Sequence, residues 1–162
     1  MNKTIIFNHL GFPIKLVNWP HILVDEKLIP DVNYKNLEEL MFSLLPSKPS
    51  KLTGAEIKFI RHHLNKTQKQ FAAWLGGEVS ESIISVWEKT DLEPTKMASG
   101  TETKLRLEIH LDLLLKRRRK TLSISLADRL KSGPLKTSKL PISIDASKFF
   151  PIPSMPPVDE LA

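Results

Sequence analysis

The sequence contains no cysteine. This absence excludes disulfide bonds, zinc sites built on thiolates and a cysteine nucleophile. No apolar run approaches the roughly 20 residues that a helix needs to span a bilayer. The first residues, MNKTIIFNHLGF, hold an apolar run that is too short and too broken by polar residues for a signal peptide. The sequence therefore predicts a cytoplasmic protein without membrane contacts.

Groups that carry catalysis are present but are not arranged for it. The chain has five histidines, yet no HExxH pattern, and the adjacent His62 and His63 point to different faces of any helix. The serines lack a GxSxG elbow, and no glycine-rich loop is present to cradle a nucleotide. The sequence thus predicts no enzyme activity, no metal site and no cofactor, and it predicts that the histidines lie at the surface.

Positive charge is concentrated in one segment. The net charge is +6, but residues 116–139 alone carry nine Lys or Arg and one acid, so the remainder sums to −2. A basic segment of this density indicates phosphate contacts. The alternative is a solvated tail with no binding role.

The composition divides the chain into three units. Residues 1–48 contain short predicted strands at 4–7, 13–17 and 22–24, followed by a helix at 34–45 that Asn33 caps. The PSKPSK stretch at 46–51 has the composition of a linker. Residues 121–162 are predicted to be an extended basic and proline-rich tail, with short strands possible only at 123–126 and 140–144.

The middle unit, residues 52–120, carries three capping-box patterns that begin at Thr53, Thr67 and Ser99. They predict helices over about 54–64, 68–74 and from 99 onward, with a further helix near 81–88 that Ser80 or Ser82 caps. Residues 104–115 also alternate apolar and polar side chains, which would suit a strand. The cap and composition favour a helix, whose wide apolar surface would suit a dimer interface.

The centre of this unit predicts two helices joined by a tight turn. Apolar residues fall on the facing sides of both, and Gly76 can adopt the positive φ of the turn. In such a unit the second helix enters the major groove of DNA and the first helix crosses the sugar–phosphate backbone of the DNA. The residues predicted to contact phosphates or to face bases are Gln68, Lys69, Glu81, Ser82, Ser85, Val86 and Lys89.

The motifs LTGAEI (52–57), FIRHHL (59–64), TQKQFA (67–72), LG (75–76), VS (79–80) and IISVWEK (83–89) resemble the Xre/Cro-type helix-turn-helix family. More narrowly, residues 5–115 look like MqsA-type antitoxins and their regulator relatives. The resemblance implies a mainly α fold, with a small α+β N-terminal part and a five-helix lambda-repressor-like domain. It also implies a homodimer on a palindromic operator, a repressor that acts on its own operon, and in many members a toxin protein as partner.

Three departures from the family pattern have consequences. Gly77 and Glu78 lengthen the turn, and this extra loop could offer backbone N–H groups to a phosphate. Near the end of the second helix, which would face the bases, Val86 stands where the family usually has a basic residue. Valine cannot contact guanine as arginine does, but it can touch a thymine methyl group. The zinc-binding cysteines are absent, so the role of that zinc module does not carry over.

Glu81 has two interpretations that both remain open. Its carboxylate can accept from the amino group of cytosine, or it can simply be stabilised by the helix dipole. Residues 51–90 carry six basic and four acidic side chains, a thin excess for binding a duplex. Phosphate contacts are therefore also predicted for Lys116, Arg117, Arg118 and Arg119, unless these cations serve only the dipole of the preceding helix.

Together these patterns predict a sequence-specific double-stranded DNA-binding repressor that acts as a type II antitoxin. The rival hypothesis is a protein-interaction module, or a stand-alone regulator, that keeps the helix-turn-helix shape.

Overall fold

The computed structural model describes residues 4–116 and 142–145, and within them it is a mixed α and β fold. Strand β2 (Ile14–Val17) lies at the centre of a three-stranded sheet. It pairs antiparallel with β1 (Thr4–Phe7) and parallel with β5 (Ile142–Asp145). Strands β3 (His21–Val24) and β4 (Lys27–Pro30) form a separate antiparallel hairpin.

The described residues contain five α-helices. The helices are α1 (Tyr34–Leu44), α2 (Gly54–His63), α3 (Gln68–Trp74), α4 (Glu81–Glu88) and α5 (Ser99–Lys116), with a short 3-10 helix at Leu45–Ser47 after α1. Four of the five therefore lie in the middle unit and one precedes it. Helix α5 settles the ambiguity at residues 104–115, because the alternating pattern there forms a helix and not a strand.

The predicted strands of the first unit are confirmed, but β4 was missed. Asp25 and Glu26 both adopt positive φ, at 47° and 61°, and so form a two-residue turn. Glycine or asparagine usually signals such a turn, and neither is present at this point. At the other end of the chain, the strand predicted at 140–144 is found as β5, whereas 123–126 lies outside the described residues.

Local capping signals predicted the starts of four helices. The side chain of Asn33 accepts from the Asn36 N–H, and complete capping boxes open α2 at Thr53 and α3 at Thr67. Ser80, not Ser82, caps α4. The box predicted at Ser99 is wrong, because Ser99 is the first residue of α5 and the Glu102 carboxylate is bound elsewhere.

The prediction of a linker at residues 46–51 is also wrong. The buried Arg106 guanidinium of α5 donates to the carbonyl oxygens of Pro46, Lys48 and Ser50 at 3.0, 2.6 and 2.7 Å. It also donates to Glu102 at 2.8 Å, and the same Glu102 oxygen accepts from the Leu52 N–H at 2.9 Å. The segment is therefore packed against α5, with the carbonyl groups of Pro46, Lys48 and Ser50 bound.

One cluster of buried side chains runs from Phe7 on β1 to Ile144 on β5, so the units share a core. Phe12 packs against Phe59 across the boundary between the first two units, with ring centroids 5.4 Å apart. Gly54 allows a close approach of α2 to the end of α4, because a Cβ there would collide with the Trp87 carbonyl oxygen. This approach fixes the end of α4 against the first turn of α2.

Three histidines depart from the predicted surface position, of which His21 is partly buried on β3. His63 stacks on Phe42 at 4.2 Å, and His110 is partly buried on α5. Burial lowers the pKa of both from the ordinary value of 6.5, and the charge of Lys116 lowers the pKa of His63 further, against the opposing effect of three carboxylates.

Stability should therefore fall on mild acidification. The unfolded chain takes up protons at His63 and His110 near pH 6.5, whereas the folded chain takes them up only at lower pH. The unfolded state then binds more protons, so the free energy of unfolding should decrease as pH falls from 7.5 to 5. Urea unfolding across this range measures the slope, and His63→Phe should reduce it. A stability that stays flat over this range in the wild type would contradict the assignment.

Candidate nucleic-acid interface

Helices α3 and α4 pack through a small apolar contact surface. Phe71, Ala72 and Leu75 are buried on the α3 side, and Ile84 and Trp87 are buried on α4. These are the inward positions that the sequence predicted. The small side chain at Ala72 allows the two helices to approach closely, so α4 is held across α3 with its opposite face outward.

The turn between the two helices is a glycine C-cap. Gly76 and Gly77 have φ values of 93° and 74°, a region that glycine occupies without strain. The Gly76 N–H donates to Ala73 O at 2.9 Å and the Gly77 N–H to Ala72 O at 3.1 Å, the two bonds of a Schellman motif. The prediction that this extra loop offers its backbone N–H groups to a phosphate is therefore wrong for Gly77, because its N–H is bound within the turn. Glu78, the other extra residue, pairs with Lys104 of α5 at 3.3 Å.

A partly buried ion pair ties three helices together behind this unit. Arg61 of α2 contacts both carboxylate oxygens of Glu88 on α4, at 2.6 and 3.0 Å. The Gln68 side chain of α3 donates to the same carboxylate at 2.9 Å. Burial raises the pKa of Glu88, but the hydrogen bonds from Arg61 and Gln68 and the charge of Arg61 outweigh it and lower the pKa overall. The charged carboxylate thus fixes the end of α4 against α2 and α3.

This network changes the role expected of Gln68. The sequence predicted a phosphate contact for its side chain, but one amide hydrogen is held by Glu88. The contact brings the start of α3 beside the end of α4. The neighbouring Lys69 and Lys89 are both exposed, so each extends from one side of this junction.

The face of α4 opposite Ile84 and Trp87 is open. Glu81, Ser82 and Lys89 are exposed, Ser85 is partly exposed, and Val86 is 61% exposed. The structure therefore brings all the predicted residues of the reading helix to its outer surface. Ile83, four residues before the buried Trp87, lies at the edge of this face and is 44% exposed. Sequence reasoning missed it, because an isoleucine next to a core residue reads as another core residue.

Of the four basic residues at 116–119 that were predicted to contact phosphates, only Lys116 lies within the described residues. Lys116 ends α5, where it pairs with Asp112 at 2.9 Å and lies 5.9 Å from the centre of the Phe42 ring. The Lys116 ammonium is thus engaged within the protein. Arg117, Arg118 and Arg119 lie outside the described residues.

Two further features, a cluster of metal ligands and a membrane-spanning helix, are absent from residues 4–116 and 142–145. Within these ranges no three His, Asp or Glu side chains come together in a way that could hold a metal ion. In the same ranges no helix has the length and apolar character needed to cross a bilayer.

Comparison with known proteins adds no relative. No protein-family model, curated protein or solved structure matches the chain. Any assignment of function therefore depends on the residues and geometry of this chain itself.

Proposed function

We propose that this protein is a sequence-specific double-stranded DNA-binding transcriptional repressor, in which α3 and α4 form a helix-turn-helix of the lambda-repressor-like type. The observation that carries the proposal is the open outer face of α4. A short helix is held in place by a second helix and by a partly buried ion pair, yet its outer side chains are exposed. Such a helix has the dimensions that the major groove admits.

The charges around this surface are better suited to DNA than their number suggests. Three acids lie between residues 66 and 89, but Glu88 is bound by Arg61 and Glu78 by Lys104. Glu81 is the acid that remains on the outer face of α4, and its position in the first helical turn is favourable for the helix dipole. Lys69 and Lys89 are exposed nearby and can contact phosphates.

A homodimer fits this function, because a palindromic operator presents its half-sites with two-fold symmetry. Helix α5 carries a surface that a second copy can cover. Leu107, Leu111 and Leu115 recur every four residues and are 44%, 51% and 79% exposed. Residues at this spacing form one stripe along a helix, and two such stripes can pair about a two-fold axis.

The direct experiment is a band-shift titration with the duplex that lies upstream of the gene. The purified chain should bind this duplex at least about 10³-fold more tightly than a scrambled duplex of the same composition. The expected preference comes from contacts of α4 with base edges. Equal affinity for the two duplexes, or no binding to either, would contradict the proposal.

A second candidate function is protein binding, and the β3–β4 hairpin favours it. Five large apolar side chains of this hairpin are between 41% and 69% exposed: Ile22, Leu23, Val24, Leu28 and Ile29. Exposed apolar patches of this kind mark protein contacts. This surface is compatible with an antitoxin that represses through α4 and holds a toxin through the hairpin. Co-purification with the product of the adjacent reading frame, and loss of that product in Leu23→Asp, would support the antitoxin role. If Leu23→Asp still co-purifies with that product, the hairpin is not the binding surface.

A further inference from the structure

We infer that Ile83 and Val86 select thymine in the bound duplex through contact with its C5-methyl group. The inference rests on the proposed function and deepens it, since it names the class of duplex that α4 takes. The two side chains are three residues apart and therefore neighbours on one helical face. They are 44% and 61% exposed, whereas Ile84 and Trp87 fill the buried side of α4.

The shape of these two side chains suits a methyl contact. Both are β-branched, so each is held near one χ1 rotamer in a helix and presents a fixed apolar surface. The thymine methyl is the apolar group that base pairs display in the major groove, where the other distinguishing groups are hydrogen-bond donors and acceptors. An apolar side chain placed against those polar groups would leave them without water or a partner, which is unfavourable.

The remaining residues of α4 leave few other ways to read a sequence. The helix, ESIISVWE, has no Arg, Lys, Asn or Gln, and Lys89 at its C-cap is assigned to a phosphate, so α4 lacks the bidentate contacts that identify guanine or adenine. Ser82 and Ser85 can form hydrogen bonds with more than one kind of base, and Glu81 can select only cytosine. Ile83 and Val86 are therefore the side chains of α4 best placed to distinguish A·T from G·C pairs.

Substitution of thymine by deoxyuridine tests this directly, because it removes the methyl group and leaves the Watson–Crick pair intact. A tight-binding duplex is selected from a randomised pool, and each thymine is replaced in turn. For the wild-type chain, at least one replacement in each half-site should weaken binding about four-fold, the effect of losing one buried methyl group.

Two variants connect the effect to its residues. Val86→Ala and Ile83→Ala should each bind more weakly and lose the sensitivity to deoxyuridine at one position. Ile6→Ala is the matched control, because Ile6 is 50% exposed but lies on β1, away from α4. It should leave both the affinity and the deoxyuridine effect unchanged.

Three outcomes distinguish failure of the methyl contact from failure of DNA binding itself. If the selected duplex binds and its fully deoxyuridine-substituted form binds equally well, the methyl contact is overturned while DNA binding stands. If Val86→Ala and Ile83→Ala keep the full deoxyuridine effect, the contact belongs to other residues and the inference is again overturned. If no duplex is enriched from the pool, the proposed function fails and the inference fails with it.

Discussion

Replacement of Arg106 by methionine is expected to lower the free energy of unfolding by about 3–5 kcal/mol, the usual cost of breaking a buried ion pair by removing one partner. Arg106 is 1% exposed and donates to Glu102 and to three backbone carbonyl groups. The variant leaves the Glu102 carboxyl group in the interior without its cationic partner and leaves the carbonyl groups without donors. Urea unfolding of the full chain measures the loss.

The double variant Arg106→Met with Glu102→Gln is the control that separates charge from packing. It removes both charges, so it should recover part of the lost stability, while the carbonyl groups of residues 46–50 still lack their donors. In Arg106→Met, trypsin should also cleave faster after Lys51, since this segment is no longer fastened to α5. A loss below about 1 kcal/mol would show that Arg106 does not hold the segment in place.

Ser82→Glu is expected to weaken binding to the upstream duplex by a hundred-fold or more. Ser82 is exposed on the outer face of α4, next to the Glu81 carboxylate. A second carboxylate there would meet the phosphates and base acceptors of the groove, and like charges placed together at an interface cost several kcal/mol. Band-shift titration at fixed salt measures the change.

Ser99→Glu is the matched control for that substitution. Ser99 is also an exposed serine in the first turn of a helix, but it belongs to α5. A carboxylate in a first turn is favourable for the helix dipole, so neither variant should lose stability. Ser99→Glu should bind the duplex nearly as well as the wild type, and a similar loss in both variants would point to net charge instead of the α4 surface.

The features that sequence reasoning predicted are those set by neighbouring residues. The caps at Asn33, Thr53, Thr67 and Ser80 need only a side chain and an amide three residues away, and each forms as expected. The outward face of α4 likewise follows from the helical period. Ile83 is the exception, since an apolar side chain gives no sign of being exposed.

The features that it missed depend on residues far apart in the sequence. Arg61 and Glu88 are 27 residues apart, and Arg106 and Pro46 are 60 apart, so no local pattern announces either contact. The PSKPSK composition predicted a linker because proline and serine favour turns, but the buried guanidinium satisfies the carbonyl groups that would otherwise need water. The sequence also suggested that Glu102 caps α5, three residues after Ser99. In the structure its carboxylate instead accepts from the Leu52 N–H and from Arg106.

The salt dependence of binding tests most directly whether α3 and α4 form a DNA-binding surface. Each phosphate neutralised releases counterions, so the logarithm of the association constant falls with the logarithm of salt concentration, by about 0.9 per contact. If Lys69 and Lys89 of both protomers contact phosphates, the slope for the upstream duplex should be about −3.6 or steeper. Lys69→Gln with Lys89→Gln should reduce its magnitude. A flat slope for the wild-type chain would contradict the account.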